Sequence, residues 1–185
     1  FRYSKGSSTD FLAFDNGMRS YNGSFGSVLN AVAGEGTVDL LGNGLNNDWH
    51  VKSRKPIGDL KIGSDWSRKW NVGGMKVGMV GALNYTNETR AYKDMINNLF
   101  GVYDVANDRT NYLRKSVDNQ YNNNVRIGAM LNFALLSRSG NNKYEFKNIF
   151  NQLATDRYTD RTGVNAQSDN EIGAEYYYRS RTTYN

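Results

Sequence analysis

From Leu60 onward, apolar and polar residues alternate along the chain. Leu60, Ile62 and Trp66 fall on one parity and Lys61, Gly63, Asp65 and Ser67 on the other, as a strand with one apolar and one wet face requires. The next run sets Met75, Val77, Met79, Leu83 and Tyr85 against Lys76, Gly78, Ala82, Asn84 and Thr86, with Val80 the exception on the polar side. A third sets Val125, Ile127, Ala129, Leu131, Phe133 and Leu135 against Arg126, Gly128, Met130, Asn132, Ala134 and Leu136, its polar side softening toward the end. The last sets Ile172, Ala174, Tyr176 and Tyr178 against Gly173, Glu175, Tyr177, Arg179 and Arg181. Lys143–Leu153 also predicts a strand, although Tyr144, Phe146 and Phe150 share one parity while Ile149 and Leu153 take the other. The expectation is an all-β antiparallel segment of five or six strands.

The links between these runs decide between two architectures. Trp70–Gly74 and Arg138–Asn142 are short and rich in Gly and Asn, which supply the positive φ of tight turns. Asn87–Asn123 and Thr155–Asp169 read as long polar loops. Short turns on one side and long loops on the other, joining strands of about 10 residues, are the pattern of an outer-membrane barrel. A soluble sheet with one solvated face alternates in the same way; the loop asymmetry and strand length favour the barrel.

The polar parity then acquires a meaning. Lys76, Asn84, Arg126, Asn132, Glu175 and Arg179 are the candidate lumen-facing residues. Charges among them would cost several kcal/mol each if buried unpaired between two sheets, a cost that a wet lumen removes. Trp70 and Tyr144, beside the short turns, and Tyr85, at the far end of its strand, fit the aromatic girdles of such a barrel, although aromatics favour strands in any case.

Residues 1–58 differ in character from residues 59–185. The apolar run Phe11–Phe14 ends in a turn signal at Asp15–Gly17, and Gly34–Asn47 is rich in Gly and Asn around one apolar patch, Val38–Leu41. This part reads as a long loop region with short strands. The chain opens at Phe1 without an export leader, and Tyr176–Tyr184 is still strand-like where it stops, so it reads as a fragment or a processed product.

Composition narrows the function classes. A mean hydropathy of −0.70 and the absence of any run near the ~20 apolar residues of a spanning helix argue against helical membrane spans. No cysteine means no disulfide scaffold and no thiolate metal site. His50 is the only histidine, so no His-based triad or multi-His metal centre can form within the chain. Gly34, Gly36, Gly42 and Gly44 do not make a phosphate-binding GxGxxG. Asp104, Asp108 and Asp118 could line a cation site but read as solvated loop carboxylates, and the sequons at Asn22 and Asn87 carry no weight in a bacterial setting. No nucleophile and base pair can be nominated, so the expectation is no enzyme, no cofactor and no bound metal.

The charge of +5 raises a nucleic-acid alternative, with Tyr177, Tyr178, Arg179 and Arg181 offering stacking and cationic groups on a sheet. The charges are scattered and mixed with acids, which disfavours nucleic acid as a partner and leaves a soluble binding module for nucleic acid or glycan as the alternative function. A passive barrel or adhesin is a second alternative.

Thr9-Asp10-Phe11-Leu12-Ala13-Phe14-Asp15-Asn16-Gly17-Met18-Arg19 resembles a segment of form DFLGFDDGxR found early in the barrels of Bacteroidetes-type TonB-dependent receptors. Asn47-Asp48-Trp49, Pro56 and the strand after it fit the same stretch, and Tyr144–Gln152 is similar to a later one, its mixed parity included. The chain departs at Ala13, where Gly is usual, and at Asn16, where Asp is common. The resemblance implies a transmembrane barrel of about 22 strands, a plug and a TonB box that this chain lacks, and uptake of a metal chelate, glycan or peptide. It implies a place in the bacterial outer membrane, with lipid, TonB (through the plug) and a surface lipoprotein as partners.

Overall fold

The computed structural model describes residues 1–4, 6–20, 50–55, 58–166 and 168–185. Among them the chain is almost wholly strand: β1 (Arg2–Ser4), β2 (Val51–Ser53), β3 (Leu60–Val72), β4 (Met75–Asp104), β5 (Arg109–Leu136), β6 (Lys143–Asn165) and β7 (Ser168–Tyr184), with one 3-10 turn at Asp10–Leu12. β1 and β2 form a two-stranded antiparallel ribbon, and β3-β4-β5-β6-β7 form one antiparallel sheet in sequence order. The sheet is open, with β3 and β7 at its edges.

Two of the turns follow the sequence signals. Gly73 and Gly74 take φ of 57° and 84°, the pair of positive values that lets a two-residue link follow the strand twist. Gly140, at φ 76°, closes the link between β5 and β6, where the Ser137 N–H donates to the Asn142 carbonyl. The two expected long loops are a correction. Asn87–Asn123 lies mostly within β4 and β5, which leave only residues 105–108 as a turn, and Thr155–Asp169 lies mostly within β6 and β7. These residues mix polar side chains with exposed apolar ones such as Ile96 and Leu99 on both faces, so their hydropathy carries no period of two although their backbones pair.

Register assigns the side chains, because directly paired residues project to the same face. One face carries Trp70, Val77, Leu135 and Tyr144 in one cross-strand row, Met79, Phe133 and Phe146 in the next, and Leu83, Ala129 and Phe150 two rows on. Arg68, Ser64 and Asn148 interrupt this band, which ends at the row Ile62, Tyr85, Ile127 and Gln152. From Met75 to Tyr85 the band runs ~33 Å along β4, which at a tilt of ~40° is ~25 Å of height.

Among the described residues nothing packs over this band short of its last row, where Tyr85 and Gln152 meet the N-terminal segment. Leu83 is 51% exposed, Phe133 38% and Phe146 58%, and Ile62, Trp66 and Trp70 are similarly open. Among the described residues the one buried apolar cluster is small: Ala13, Val125 and Ala154, with Tyr85 and Tyr178 against it. It lies just beyond the band, where the N-terminal segment lies on the same face of the sheet.

Candidate functional site

All six candidate polar residues project from the face opposite the apolar band. Lys76 pairs with Leu136, Asn84 with Gly128, Arg126 with Thr86 and Leu153, Asn132 with Val80 and Lys147, Glu175 with Thr159, and Arg179 with Thr155. The face is thus continuous across β4 to β7 and is wet. Lys76, Asn84, Arg126, Glu175 and Arg179 are exposed, and Asn132 is half-buried with its Oδ1 unpartnered. Glu175 accepts from Arg157 at 2.9 Å, and the Arg157 guanidinium stands 4.8 Å over the Tyr177 ring. Asn84 lies so close over Gly128 that an added Cβ would meet its amide at 2.6 Å. Trp70 and Tyr144 share the apolar face near the short turns, and Tyr85 sits at its far end.

Higher on the same polar face, sequence reading missed a buried ion pair. Arg161 on β6 donates through Nε and a terminal nitrogen to both oxygens of Asp118, its partner on β5, at 2.8 and 2.7 Å. Asn97 adds a third donor at 2.9 Å. The Arg161 hydrogen bonds, with help from Asn97, hold the Asp118 carboxyl below its usual range despite burial. The three loop aspartates considered for a cation are not brought together. Asp104 accepts from Asn107 and pairs with Arg109, Asp108 accepts from the Tyr103 hydroxyl, and Asp118 is held by Arg161. No group of three metal-ligating side chains occurs among the described residues. Gly34, Gly36, Gly42, Gly44, the Asn22 sequon, Val38–Leu41, Asn47–Trp49 and Pro56 lie outside the described residues.

The other missed feature is on the apolar side, beyond the band. Within the motif Thr9–Arg19, Arg19 forms ion pairs with Asp10 and Asp15 at 2.7 Å, donates to the Tyr176 hydroxyl at 2.8 Å and stands 3.7 Å over the Tyr178 ring. The Ala13 carbonyl accepts from Gln152 and Ser180, and the Phe11 carbonyl from Tyr85. The motif is therefore a docking device: a turn that presents carbonyls and one guanidinium to β4, β6 and β7. Ala13 takes φ 62° and Gly17 φ 91°, left-handed positions that favour glycine. Beneath it, burial lifts the Asp156 carboxyl from an ordinary 3.8 to about 6, against the pull of Arg19. Burial and the Asp156 charge likewise push the Tyr176 hydroxyl up to about 12.

Next to this docked turn, β1 and β2 roof a cavity of about 300 Å³ over β4, β5 and β6. Its floor includes Tyr121 and Tyr158, stacked with ring centroids 6.5 Å apart, and Asn123, whose Oδ1 is buried without a partner. Its roof carries Lys52 and Arg54, and Arg54 stands over the rings of Phe1 and Tyr3 at 5.6 and 5.0 Å.

Among the described residues no helix is long and apolar enough to cross a membrane, which says nothing of crossing by strands. Comparison of the chain with protein-family models, with curated proteins and with solved structures finds no match.

Proposed function

We propose that this chain is a wall segment of a bacterial outer-membrane β-barrel, and that the whole protein is a TonB-dependent transporter that takes up a ligand through its lumen. The observation that carries the barrel reading is the uncovered apolar band, ~25 Å high, on an open five-stranded sheet whose other face carries the charged and amide side chains among scattered apolar residues such as Val80 and Ile149. In water, a contiguous apolar surface of this kind would drive association; in a bilayer it is the lipid contact. The open edges at β3 and β7 would pair with further strands, since a barrel leaves no edge. The transporter reading rests on the likeness of Thr9–Arg19 and Tyr144–Gln152 to TonB-dependent receptor segments. The polar face, with Lys76, Asn84, Arg126, Asn132, Glu175 and Arg179, would line the lumen, and the residues beyond the band would project outside the cell.

The chain has no cysteine, so single-cysteine variants made within it, in a full protein cleared of any cysteine elsewhere, test the barrel reading. In intact outer-membrane vesicles, cysteines at Leu83, Leu131 and Phe133 should resist a membrane-impermeant maleimide, while those at Lys76, Arg126 and Asn132 should react. Equal labelling of both sets, in a protein that does not sediment with membranes, would overturn the barrel and favour a soluble β-sheet binding module. For the transporter reading, uptake lost on deletion of the TonB partner is the expected result, and uptake indifferent to it would leave a passive barrel or adhesin.

A further inference from the structure

The cavity beneath β1 and β2 borders the apolar band. Its floor residues Asn123 and Asp156 are direct register partners, one row beyond Asn87, Val125 and Ala154 and two beyond Tyr85, Ile127 and Gln152. A molecule seated there has polar groups at the level of a membrane headgroup and open apolar wall directly below it.

The chemistry of the walls is specific in kind. Tyr121 and Tyr158 stack on one another, with Phe1 edge-on to Tyr121 at 5.5 Å, and present to the cavity a largely buried aromatic rim suited to the C–H face of a sugar. Asn123 Oδ1 is buried without a donor, an arrangement that costs ~1–3 kcal/mol unless something in the cavity supplies one. A sugar hydroxyl is such a donor. Lys52 and Arg54 supply cationic donors above. Arg2, also in the wall, is committed to Asp160 at 2.7 Å, whereas Arg54 lies over the Phe1 and Tyr3 rings with its charge acting on Asp156, and Lys52 makes no ion pair among the described residues. Two cations over stacked rings and an orphan acceptor match a sugar that carries an anionic group. A volume of about 300 Å³ is at the small end of ligand sites, room for a headgroup and not for an oligosaccharide.

We propose that this cavity binds the phosphorylated sugar headgroup of an outer-leaflet glycolipid, whose acyl chains run down the apolar band over Leu83 and Phe133. Lys52 and Arg54 hold the phosphate, Tyr121 and Tyr158 stack on the sugar ring, and Asn123 and Asp156 accept from its hydroxyls. The inference rests on the barrel reading above, because only a chain embedded in the outer membrane meets such a lipid. It assigns this site no part in transport.

The test uses the full protein, extracted in detergent micelles and examined by native mass spectrometry with three probes: lipid A, lipid A stripped of its phosphates, and the free phosphorylated disaccharide. Intact lipid A should be retained, with retention falling about tenfold or more on dephosphorylation and in Lys52→Ala/Arg54→Ala. Asn123→Leu should weaken retention while both cations remain. Equal retention of lipid A by wild type and the double variant would overturn the proposal, and so would free disaccharide binding as tightly as the lipid, which would identify a soluble sugar phosphate as the occupant. Heat-modifiable migration of each variant in the same micelles reports the barrel separately. A folded barrel without headgroup retention defeats this site alone, and the lack of any folded barrel defeats both readings.

Discussion

The indole of Trp66 on β3 lies directly over Gly81, its register partner on β4, so closely that a Cβ at position 81 would sit 2.2 Å from the ring. Glycine here is a seat for a large aromatic, and the ring in turn covers backbone that glycine leaves bare. Gly81→Ala should force the indole off its position and cost about 1–3 kcal/mol. Gly81→Ala combined with Trp66→Ala should cost less than the sum of the two single changes, measured by chemical denaturation in detergent.

Leu83 and Leu131 sit on the apolar face, well inside the band. In the barrel reading, Leu131→Arg places a charge among acyl chains and should cost about 2–4 kcal/mol. Asn132→Arg, one residue away on the polar face, should cost far less. Folded, heat-modifiable protein in the outer membrane should fall for the first and hold for the second; equal effects would count against lipid on that face.

Asp118 and Arg161 form a two-pronged cross-strand pair, with the Asp118 side chain 6% exposed. Asp118→Asn leaves the Arg161 charge without its counterion and should destabilise the upper β5–β6 pairing by about 3 kcal/mol. Because the carboxyl is held below its ordinary 3.8, its contribution is present above that pH and is lost as pH falls through the lower folded value. Amide protection in residues 114–120 and 159–165, taken relative to the intrinsic exchange rate, should therefore fall at strongly acid pH in wild type, and lose that acid dependence in Asp118→Asn.

Asp156 has the opposite sign. Its carboxyl is raised from 3.8 to about 6, so its favourable contribution is complete below the ordinary value and is lost as pH rises through about 6. Docking of the turn Asp10–Arg19 on β6 and β7 should loosen as pH rises from about 4 to about 6, the interval between the two values. Asp156→Asn should hold the turn down at pH 8, seen as slower amide exchange at Leu12–Phe14. Equal protection of the turn at pH 5 and pH 8, each measured against the intrinsic exchange rate at that pH, would show that the carboxyl does not control it.

Legibility in the sequence followed hydropathy contrast. The cores of β3, β4, β5 and β7 were readable because Leu83 or Phe133 differs sharply from Asn84 or Asn132, and Gly73-Gly74 announced its turn. β6 was readable with difficulty, since Ile149 and Leu153 are apolar residues on the polar face. The outer halves of the strands were not readable, because Asn122, Asn123 and Asn124 alternate nothing with nothing; only hydrogen bonding to β4 and β6 shows them to be strand. The Arg19 anchor joins residues 157 apart in sequence, a distance that no local pattern spans. Its one local trace was Ala13, standing where similar receptor segments carry glycine: the left-handed backbone there explains why glycine suits the position.

The irregular step in β4 between Tyr92 and Met95, with Asp94 at φ 57°, has an effect on how the strand is read. Below it, odd-numbered β4 residues such as Leu83 and Tyr85 share a face with Ile127; above it, Met95 and Asn97 pair with Asp118 and Ser116 and so join the opposite side. Position 94 thus acts as a phase change in a binary code: the same odd or even number means a different environment on either side of it. Deletion of Asp94 would remove the extra residue and leave a regular ladder in which Met95 and Asn97 still face with Asp118 and Ser116, whereas loss of one residue from the regular stretch between Lys76 and Tyr92, with the bulge kept, would put every β4 side chain on one side of the cut onto the wrong face without altering a single residue's identity.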